Sequence, residues 1–496
     1  MHEKRAGRQP TLRAEIFVST SATTRAVGRA VRDGTARKIG PRLYTTDLMS
    51  SPEEIIRRNR WRVVALLAPG SVIGFRTAIE MVPSSAGAIF LSGRGRHRID
   101  LPGLQLRIFK GPGPLANDMP FMEHLFIASQ PRALLESLKP SRERSTVARG
   151  LARARIEEIL EGELQSGGEA RLNRIRDAAR ALAPDLDASR ELEVLTSIIG
   201  TLLGSRRGHL SAPAALARVA GAPYDVDRLD RLLTLHTALA SWPVISRPDV
   251  LPTDAEFSNI SFFDAYFSNF IEGTRFEVQE AREIVFDGKI PAARPEDAHD
   301  VLGTFSLVGN RTAMSRSVMN FRDYDDFEVA VRDAHRQIMV ARPDKRPGMF
   351  KEVANVAGQT SFVAPELVRG TLRQGFGIVR GLAEPFQRSA AIMFLLTEIH
   401  PFDDGNGRVA RAFMNAELIA GGQRRILIPT VYRDDYVAGL RVLTRQDHPQ
   451  PFLQTLDFAQ RYTAAIDFSD YDRAVSVLRA TSAFDDARPD LRLRMP

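Results

Sequence analysis

Between His400 and Arg411 the sequence reads HPFDDGNGRVAR, and several of these side chains are suited to phosphate chemistry. A histidine such as His400 titrates near neutral pH, so it can act as a general base. The carboxylate of Asp404 is a suitable ligand for Mg²⁺, which usually binds one or two carboxylates together with substrate phosphates. Arg408 and Arg411 are three residues apart, so on a helix both project from one side and offer donor forks to phosphate oxygens. This combination predicts a phosphoryl or nucleotidyl transfer site.

Two helices are needed to position these residues. The apolar run 390–399 (AAIMFLLTEI) predicts a helix that ends at the histidine, and a second helix is predicted from Gly407 to Ala420, where Gly421 and Gly422 stop it. The glycines and asparagine at the joint suit a tight turn. A helix that begins there directs free N–H groups and its positive dipole end into the turn, which favours an anion such as phosphate. Taken singly, these features are also typical of a capping histidine, an ordinary turn and a solvated arginine pair.

The segment resembles the signature of Fic-domain proteins, which is His-Pro-Phe, any residue, Asp or Glu, Gly-Asn, Gly or Lys, Arg, two residues and Arg; every fixed position matches. The resemblance implies transfer of AMP from ATP to a Ser, Thr or Tyr hydroxyl of a protein. It implies that His400 deprotonates the target and that Asp404 binds the Mg²⁺ that bridges the α- and β-phosphates. It also implies that the phosphates are held by Gly405, Asn406, Gly407, Arg408 and Arg411.

A second stretch, Ser268 to Gly273 (SNFIEG), lies in a helical run that we predict from Phe262 to Phe276. It resembles the inhibitory motif of Fic proteins, which is Ser or Thr, three residues, Glu, then Gly or Asn. The resemblance implies that Glu272 pairs with Arg411 and displaces the γ-phosphate, while Ser268 holds the inhibitory helix in place. A carboxylate competes with phosphate for the same donors, so such a brake is physically coherent. The alternative is an ordinary helix with one solvated glutamate.

Further elements of the predicted Fic domain lie on either side of the signature. Residues Gly348 to Phe362 are predicted to form a hairpin, and Fic proteins carry here a flap that holds the target by strand addition. Downstream, Tyr432 and Tyr436 are candidates for lining the nucleotide base, or are structural tyrosines. Residues Asp467 to Phe484 are predicted to form a last helix packed on this domain.

The N-terminal end of the chain is basic. Residues 1–60 carry thirteen Lys/Arg against six Asp/Glu, a surplus that nearly equals the net charge of +8 for the whole chain. A helix is predicted from Ser19 to Asp33 with Val27 and Val31 buried, followed by two short strands between Thr35 and Thr46. Helix and hairpin resemble the winged-helix modules of abortive-infection type antitoxins, which implies DNA binding. The residues that would contact DNA are Arg25, Arg29, Arg32, Arg37 and Lys38. The alternative is a basic protein-docking module.

The predicted fold class is multidomain and mainly α. It comprises a winged helix-turn-helix-like module (1–60), a mixed α/β module (61–139), a helical connector (140–250) and an all-α Fic core with a β-hairpin flap (251–496). In the connector, helices are predicted at 146–164 and 169–182, separated by Gly167 and Gly168, and at 191–203 and 226–240.

The amino-acid composition and the absence of long apolar runs exclude several further kinds of site and location. Cysteine is absent, which excludes disulfides and thiolate metal sites. No run approaches the roughly 18 to 20 consecutive apolar residues of a membrane span, so no membrane partner is expected. The first residues are polar with no apolar stretch behind them, unlike a secretory signal, and a cytoplasmic protein is predicted.

The sequence therefore predicts an ATP- and Mg²⁺-dependent protein adenylyltransferase with an intramolecular brake. Within the enzyme class the alternatives are removal of AMP and transfer of phosphate or phosphocholine, although Gly407 argues against the kinase-like variant of the signature. From another class, the alternative is a DNA-binding regulator or antitoxin whose Fic half senses nucleotide. The partners expected are a protein with a hydroxyl side chain and, through the N-terminus, DNA. The oligomeric state is open, and related proteins sometimes form homodimers through the Fic half.

Overall fold

The structure is a computed structural model that describes residues 14–140, 148–249, 252–486 and 491–496. It divides into two compact units, Met1–Val219 and Ala220–Pro496. The finer division into four modules stays a prediction. Residues 1–13 of the predicted basic module, 141–147 of the connector and 250–251 at its end lie outside the described residues.

The first unit carries two β-sheets and a group of helices. Its elements are β1 (Ile16–Val18), α1 (Thr24–Arg32), β2 (Arg37–Gly40), β3 (Leu43–Thr45), α2 (Pro52–Arg58), α3 (Arg60–Leu67), β4 (Val72–Ile73), α4 (Phe75–Glu80), β5 (Ala88–Gly93), β6 (His97–Leu101), β7 (Leu104–Lys110), β8 (Met119–Phe121), β9 (Leu125–Ile127), α5 (Gln130–Leu138), α6 (Arg153–Leu186), α7 (Ser189–Leu202) and α8 (Pro213–Val219). The small sheet has the order β1-β3-β2, and the larger one β6-β7-β5-β4-β9-β8. The larger sheet is mixed, because β4 pairs parallel with β9 and β5 parallel with β7.

The basic helix is shorter than predicted and buries a different residue. It begins at Thr24 rather than Ser19, because residues 19–23 form a turn in which the Thr24 hydroxyl donates to the Thr20 carbonyl at 2.6 Å. Val27 is buried as predicted, but Val31 is 40% exposed and Ala30 lies inside instead. Residues three apart also share a helix face, so the buried stripe runs from Val27 to Ala30.

The predicted hairpin after this helix is present, since β2 and β3 pair antiparallel. Of the five basic residues predicted to contact DNA, Arg25, Arg29, Arg32 and Lys38 are exposed. Arg37 is half-buried, and its guanidinium donates to the backbone carbonyls of Asp47 and Ser50. Its donors therefore tie the hairpin to the chain that follows, and the winged-helix assignment itself stays a prediction.

The helical part of the first unit follows the sequence pattern closely. The connector helices predicted at 146–164 and 169–182 correspond to α6, which begins later than predicted, at Arg153, and is interrupted at Gly168, where φ is 63° and ψ is −171°. The pair of glycines thus marks a true break in helical geometry. Helices α5 to α7 pack around buried leucine, isoleucine and alanine side chains.

The second unit is almost entirely helical. Its elements are α9 (Val226–Ala240), α10 (Asp254–Ile271), α11 (Val278–Asp287), α12 (Pro295–Val308), α13 (Arg311–Met314), α14 (Tyr324–Ile338), β10 (Val356–Ala357), β11 (Thr360–Ser361), α15 (Val368–Arg380), α16 (Pro385–Ile399), α17 (Asn406–Ala420), α18 (Arg433–Gln446), α19 (Gln450–Ala464) and α20 (Tyr471–Ala480). The predicted hairpin within Gly348 to Phe362, called the flap below, is present as the antiparallel pair β10-β11. The last predicted helix is α20.

Helix α16 lies at the centre of this unit. All but two of its residues are buried, so it is enclosed by the rest of the unit on every face. Its start is fixed by Pro385 in the first turn and by a capping box between Glu384 and Gln387. Apolar side chains of α9, α14, α15, α17 and α18 belong to the same core. A rigid core helix therefore delivers the chain to His400.

Helix α10, which was predicted to run to Phe276, ends at Ile271 with Glu272 as its C-terminal cap. The chain leaves the helix because Gly273 adopts a φ of 99°, which a side chain would disfavour. Within the described ranges, no helix combines the length and apolar character that a membrane span requires.

Candidate active site

The site is built on the turn that joins α16 to α17. His400 caps α16 in the left-handed region with φ at 55°, and Gly405 precedes α17 with φ at 73°. A side chain on Gly405 would place its Cβ 2.8 Å from Met339 Sδ, so glycine is required there for space as well as for conformation. The turn brings a base, a carboxylate and a helix N-terminus together.

Asn406 holds this turn closed. Its amide accepts from the Phe402 N–H at 2.8 Å and donates to the Phe402 carbonyl at 2.9 Å, and the side chain is buried. Both functions of the amide are therefore used by the loop backbone. The contact with phosphate expected of this side chain stays a prediction.

The His400 imidazole has a defined orientation and charge. Its Nδ1 lies 3.2 Å from the carbonyl of Thr397, and because a carbonyl only accepts, Nδ1 carries the hydrogen and Nε2 has the free lone pair. The ring stacks on Phe362 of the flap, with ring centres 3.8 Å apart. Burial lowers the pKa of His400 to about 4, so the imidazole is neutral at pH 7 and able to accept a proton.

Asp404 presents a carboxylate to solvent beside the helix N-terminus. Its side chain is 41% exposed and lies 3.6 Å from Arg408 Nη2, and Oδ1 accepts the N–H of Gly405 at 2.6 Å. In the part of the chain that the structure describes, no three His, Cys, Asp or Glu side chains cluster as a metal site. One exposed carboxylate fits Mg²⁺ only when substrate phosphates and water complete the coordination.

The two signature arginines have different surroundings. Arg408 is buried, with Nη1 2.9 Å from Asp300 Oδ2 on α12, and its Nε has no hydrogen-bond partner. Asp300 also accepts from Arg342 Nε at 2.8 Å. Arg408 is thus held by a permanent internal counter-ion.

Arg411 is bound by the end of α10. Its Nε donates to Ser268 Oγ and its Nη2 to the Ser268 carbonyl, both at 2.9 Å. Nη2 also donates to Glu272 Oε1 at 2.6 Å. The contact between Glu272 and Arg411 that the resemblance implied is therefore present, and Ser268 binds the same guanidinium; the inhibitory roles of both residues stay predictions.

The Glu272 carboxylate lies over the N-terminus of α17. A Cβ on Gly407 would overlap Oε1 of Glu272, so this carboxylate occupies space above the predicted phosphate cradle. Burial alone raises the pKa of Glu272, but the charge and hydrogen bond of Arg411 lower it overall below the ordinary value. The side chain is 24% exposed, so the charged group is at the mouth of the site. Gly273 contributes backbone geometry only.

The two tyrosines predicted to line the nucleotide base lie in different surroundings. Tyr436 is buried, and its hydroxyl shares a hydrogen bond with the Arg411 guanidinium. Tyr432 instead packs against Phe458, with ring centres 5.2 Å apart, and bonds Thr455. Their roles toward a nucleotide base stay predictions.

Three residues that sequence reasoning missed complete the site. His335 on α14 stacks on Phe402 at 3.7 Å and bonds the Asp404 carbonyl at 3.1 Å. Asp300 neutralises Arg408, and Lys351 of the flap lies buried beside the His400 loop. None of them stands at a fixed spacing from the signature, so only the folded chain brings them to it.

Comparison with known proteins finds similarity in the part of the chain that carries the signature. The family model described as the Fic/DOC family matches residues 326–418. The protein adenylyltransferase fic-1 of Caenorhabditis elegans is 24% identical over 230 residues, which is 45% of this chain and 42% of that protein. A Fido domain-containing protein of Dictyostelium discoideum is 30% identical over 106 residues, 20% of this chain and 72% of that protein. The solved structure of Fic-1 residues 134–508 from C. elegans is 19% identical, covering 63% of this chain and 97% of that chain with a TM-score of 0.37.

The chain belongs to the Fic/DOC family, as its signature predicted. It spans about two fifths of the length of the nematode adenylyltransferase that it matches.

Proposed function

We propose that this protein transfers AMP from ATP to a hydroxyl group of a protein target, and that Glu272 restrains the reaction. The observation that carries the proposal is the pairing of Arg411 with Glu272 across the same turn that presents a neutral His400. Relatives named protein adenylyltransferases support the reaction type.

The reaction requires one proton acceptor and a grip on the phosphates. The target oxygen attacks the α-phosphorus of ATP, the new O–P bond forms, and the bond to the β-phosphate bridging oxygen breaks. Pyrophosphate leaves, and the hydroxyl proton passes to Nε2 of His400. Since the imidazole is neutral over the physiological range, it is in the accepting form before the target arrives.

The phosphates would lie against the N-terminus of α17. The free N–H groups after Gly405 and the helix dipole favour anions there. Arg411 would supply a bidentate fork once Glu272 has left, and Arg408 would add a second positive charge from behind. Mg²⁺ held by Asp404 and the substrate phosphates would supply further positive charge against the phosphate oxygens.

The brake acts through competition for Arg411. With Glu272 paired, Arg411 has donors engaged at Ser268 and Glu272, and the carboxylate lies where phosphate would approach Gly407. A negative carboxylate and a terminal phosphate do not share that space without strong repulsion. ATP would therefore bind in a pose unsuited to attack on its α-phosphorus.

The target would dock on the flap. Val353 and Val356 are 74% and 62% exposed, and within the described ranges β10 and β11 form a two-stranded sheet of their own. An extended segment of the target could add a strand there and place its hydroxyl beside His400, whose ring contacts Phe362 of the same flap.

Labelling with nucleotide tests the proposal. The chain is incubated with Mg²⁺ and α-³²P-ATP as wild type, Glu272→Gly and Glu272→Gly/His400→Ala. We expect protein labelling in Glu272→Gly to exceed wild type by about tenfold or more, the scale of one lost charge-assisted bond, and to vanish in the double variant. Glu277→Gln, an exposed carboxylate on the same loop, serves as the control and is expected to label like wild type.

Other outcomes identify other activities. Label from γ-³²P-ATP alone would indicate a kinase. If AMP already attached to a protein is removed, and this removal requires Glu272, the reverse reaction is indicated. Absence of His400-dependent label in every variant would contradict the transfer reaction itself.

A second candidate function rests on the first unit. Helix α1 carries Arg25, Arg29 and Arg32 exposed to solvent, and an antiparallel hairpin follows it directly. A helix and a hairpin presented in this way suit duplex DNA. A DNA-binding regulator whose Fic half senses nucleotide would retain DNA binding in His400→Ala.

A further inference from the structure

Lys351 is a buried lysine in a position that the transfer reaction does not account for. It lies near the start of the flap, and only 3% of its surface is exposed. Its Nζ donates to Asn355 Oδ1 at 2.7 Å and to the Ile399 carbonyl at 3.3 Å. No carboxylate among the residues described here forms an ion pair with it. Most buried lysines are paired with an acid, so an unpaired one requires an explanation.

Its hydrogen bonds end on the residues that flank His400. The Nζ holds the carbonyl of Ile399, just before the histidine, and the Lys351 N–H donates to the carbonyl of Pro401, just after it, at 2.9 Å. Asn355, the other partner of Nζ, donates to the Phe402 carbonyl at 2.9 Å. Of the four carbonyls from Ile399 to Phe402, all except that of His400 are therefore held from the flap.

The ammonium also lies close enough to act on the imidazole through its charge. The Phe362 ring is 3.8 Å from the His400 ring and 5.9 Å from Lys351 Nζ. The charge and the imidazole are therefore separated by no more than about 10 Å. At that distance in a partly buried site, a unit charge changes a protonation equilibrium by a factor of about two to ten.

The charged groups that face His400 come from three elements. Lys351 on the flap disfavours the imidazolium, whereas Glu272 at the end of α10 and Asp404 in the signature loop favour it. Burial is the largest influence and also favours the neutral ring. Lys351 is thus a positive group that offsets two nearby carboxylates.

We propose that Lys351 is a positioning residue for His400: its hydrogen bonds hold the carbonyls on either side of the imidazole, and its ammonium disfavours the protonated form of that ring. The contribution to transfer rests on the proposed function, but the effect of the charge on the ring does not. Burial lowers the pKa of Lys351 itself to about 8, so the ammonium is largely charged at pH 7.

Titration of the His400 ring by NMR tests the proposal without any activity. The imidazole Cε1–H signal of the full chain is assigned by its loss in His400→Gln and followed against pH. In Lys351→Met, we expect the ratio of protonated to neutral His400 at a given pH to rise two- to tenfold. Lys351→Gln, which keeps a donor for Ile399, should give the same rise and covers the case that the methionine variant does not fold.

Two controls separate charge from packing. Lys351→Arg retains the positive charge and should leave the ratio within twofold of the parent. Asn355→Ala removes a partner of Nζ but keeps the charge, and the ratio should again remain within twofold. If His400 titrates at the same pH in Lys351→Met and Lys351→Gln as in the parent, the proposal is overturned.

A rate measurement then tests the consequence for transfer. In the Glu272→Gly background, kcat/KM for AMP transfer is measured against pH, and the acid limb should move to higher pH in Lys351→Met but not in Lys351→Arg. A fall by the same factor at every pH would reveal a merely structural role and contradict the proposal. If the Glu272→Gly variant itself transfers no AMP, the proposed function fails. The NMR titration still decides the effect of Lys351 on His400.

Discussion

Arg408 and Arg411 look equivalent in the sequence, but their partners differ in one physical respect. Asp300, which neutralises Arg408, has a side chain that is 2% exposed, whereas the side chain of Glu272 beside Arg411 is 24% exposed. A fully buried carboxylate cannot leave its cation without uncovering an unpaired charge. The Glu272 carboxylate at the mouth of the site can reach water itself, and a phosphate that enters there can take its place beside Arg411. Arg408 is therefore a fixed part of the fold, and Arg411 is the arginine whose partner can be exchanged for phosphate.

Removal of the buried partner should be costly. In Asp300→Asn, Arg408 and Arg342 lose their shared carboxylate, and we expect the free energy of unfolding to fall by about 3 to 5 kcal/mol. Urea denaturation followed by circular dichroism measures the change. Asp297→Asn is the matched control, because Asp297 also pairs with Arg342 but is 33% exposed, and it should cost less than about 1 kcal/mol. Equal losses in the two variants would contradict this account of Arg408.

At the scale of elements, local signals predicted much of the second unit. Helix α9 has the predicted bounds, and the apolar run before His400 and the glycines after Ala420 fixed the positions of α16 and α17. These signals are local: apolar periodicity, caps and breakers. Contacts such as Arg408 with Asp300, 108 residues earlier in the numbering, have no local signal, so no spacing in one sequence could reveal them.

The end of α10 shows where local reasoning was less reliable. The predicted helix ran past Ile271 to the apolar Phe276, but Gly273 ends it and leaves Glu272 as a cap. The resemblance identified the correct glutamate even though the predicted helix was too long. The pairing with Arg411 depends on this early end, since it places the carboxylate over Gly407.

The inhibition that we propose for Glu272, at the end of α10, should not depend on pH near neutrality. Arg411 holds the pKa of Glu272 below its ordinary value despite the opposing effect of burial. The carboxylate becomes protonated, and the pair is lost, only at a pH below the range in which a glutamate ordinarily titrates, so the pair persists between about pH 5.5 and 8. The ratio of AMP labelling in Glu272→Gly to that in wild type should stay constant within about twofold over this range.

Glu272→Gln imitates the protonated side chain and provides the control. It should label more than wild type at every pH in the range, because a neutral amide binds a guanidinium more weakly than a carboxylate does. A labelling ratio that approaches one as the pH falls to 5.5 would contradict a permanently charged brake.

At the scale of the whole molecule, positive charge is concentrated at one end of the chain. Residues 1–60 hold most of the net charge of +8. The sequence predicted this cluster and the helix and hairpin that carry it, but not which side chains face solvent. Arg37 was predicted to contact DNA, yet its donors are used by the carbonyls of Asp47 and Ser50. Long-range backbone contacts of this kind cannot be read from charge patterns.

If the exposed arginines of α1 bind DNA, replacing all three should remove the binding. In Arg25→Gln/Arg29→Gln/Arg32→Gln, we expect electrophoretic retardation of duplex DNA by the full chain to weaken at least tenfold, and its dependence on salt to become shallower, because fewer phosphate counter-ions are released. Arg155→Gln/Arg174→Gln/Arg180→Gln is the matched control, since these arginines are also exposed and the change in charge is the same. Equal weakening in both triple variants would mean that net charge alone attracts DNA, and unchanged retardation in the α1 variant would exclude this helix as the contact.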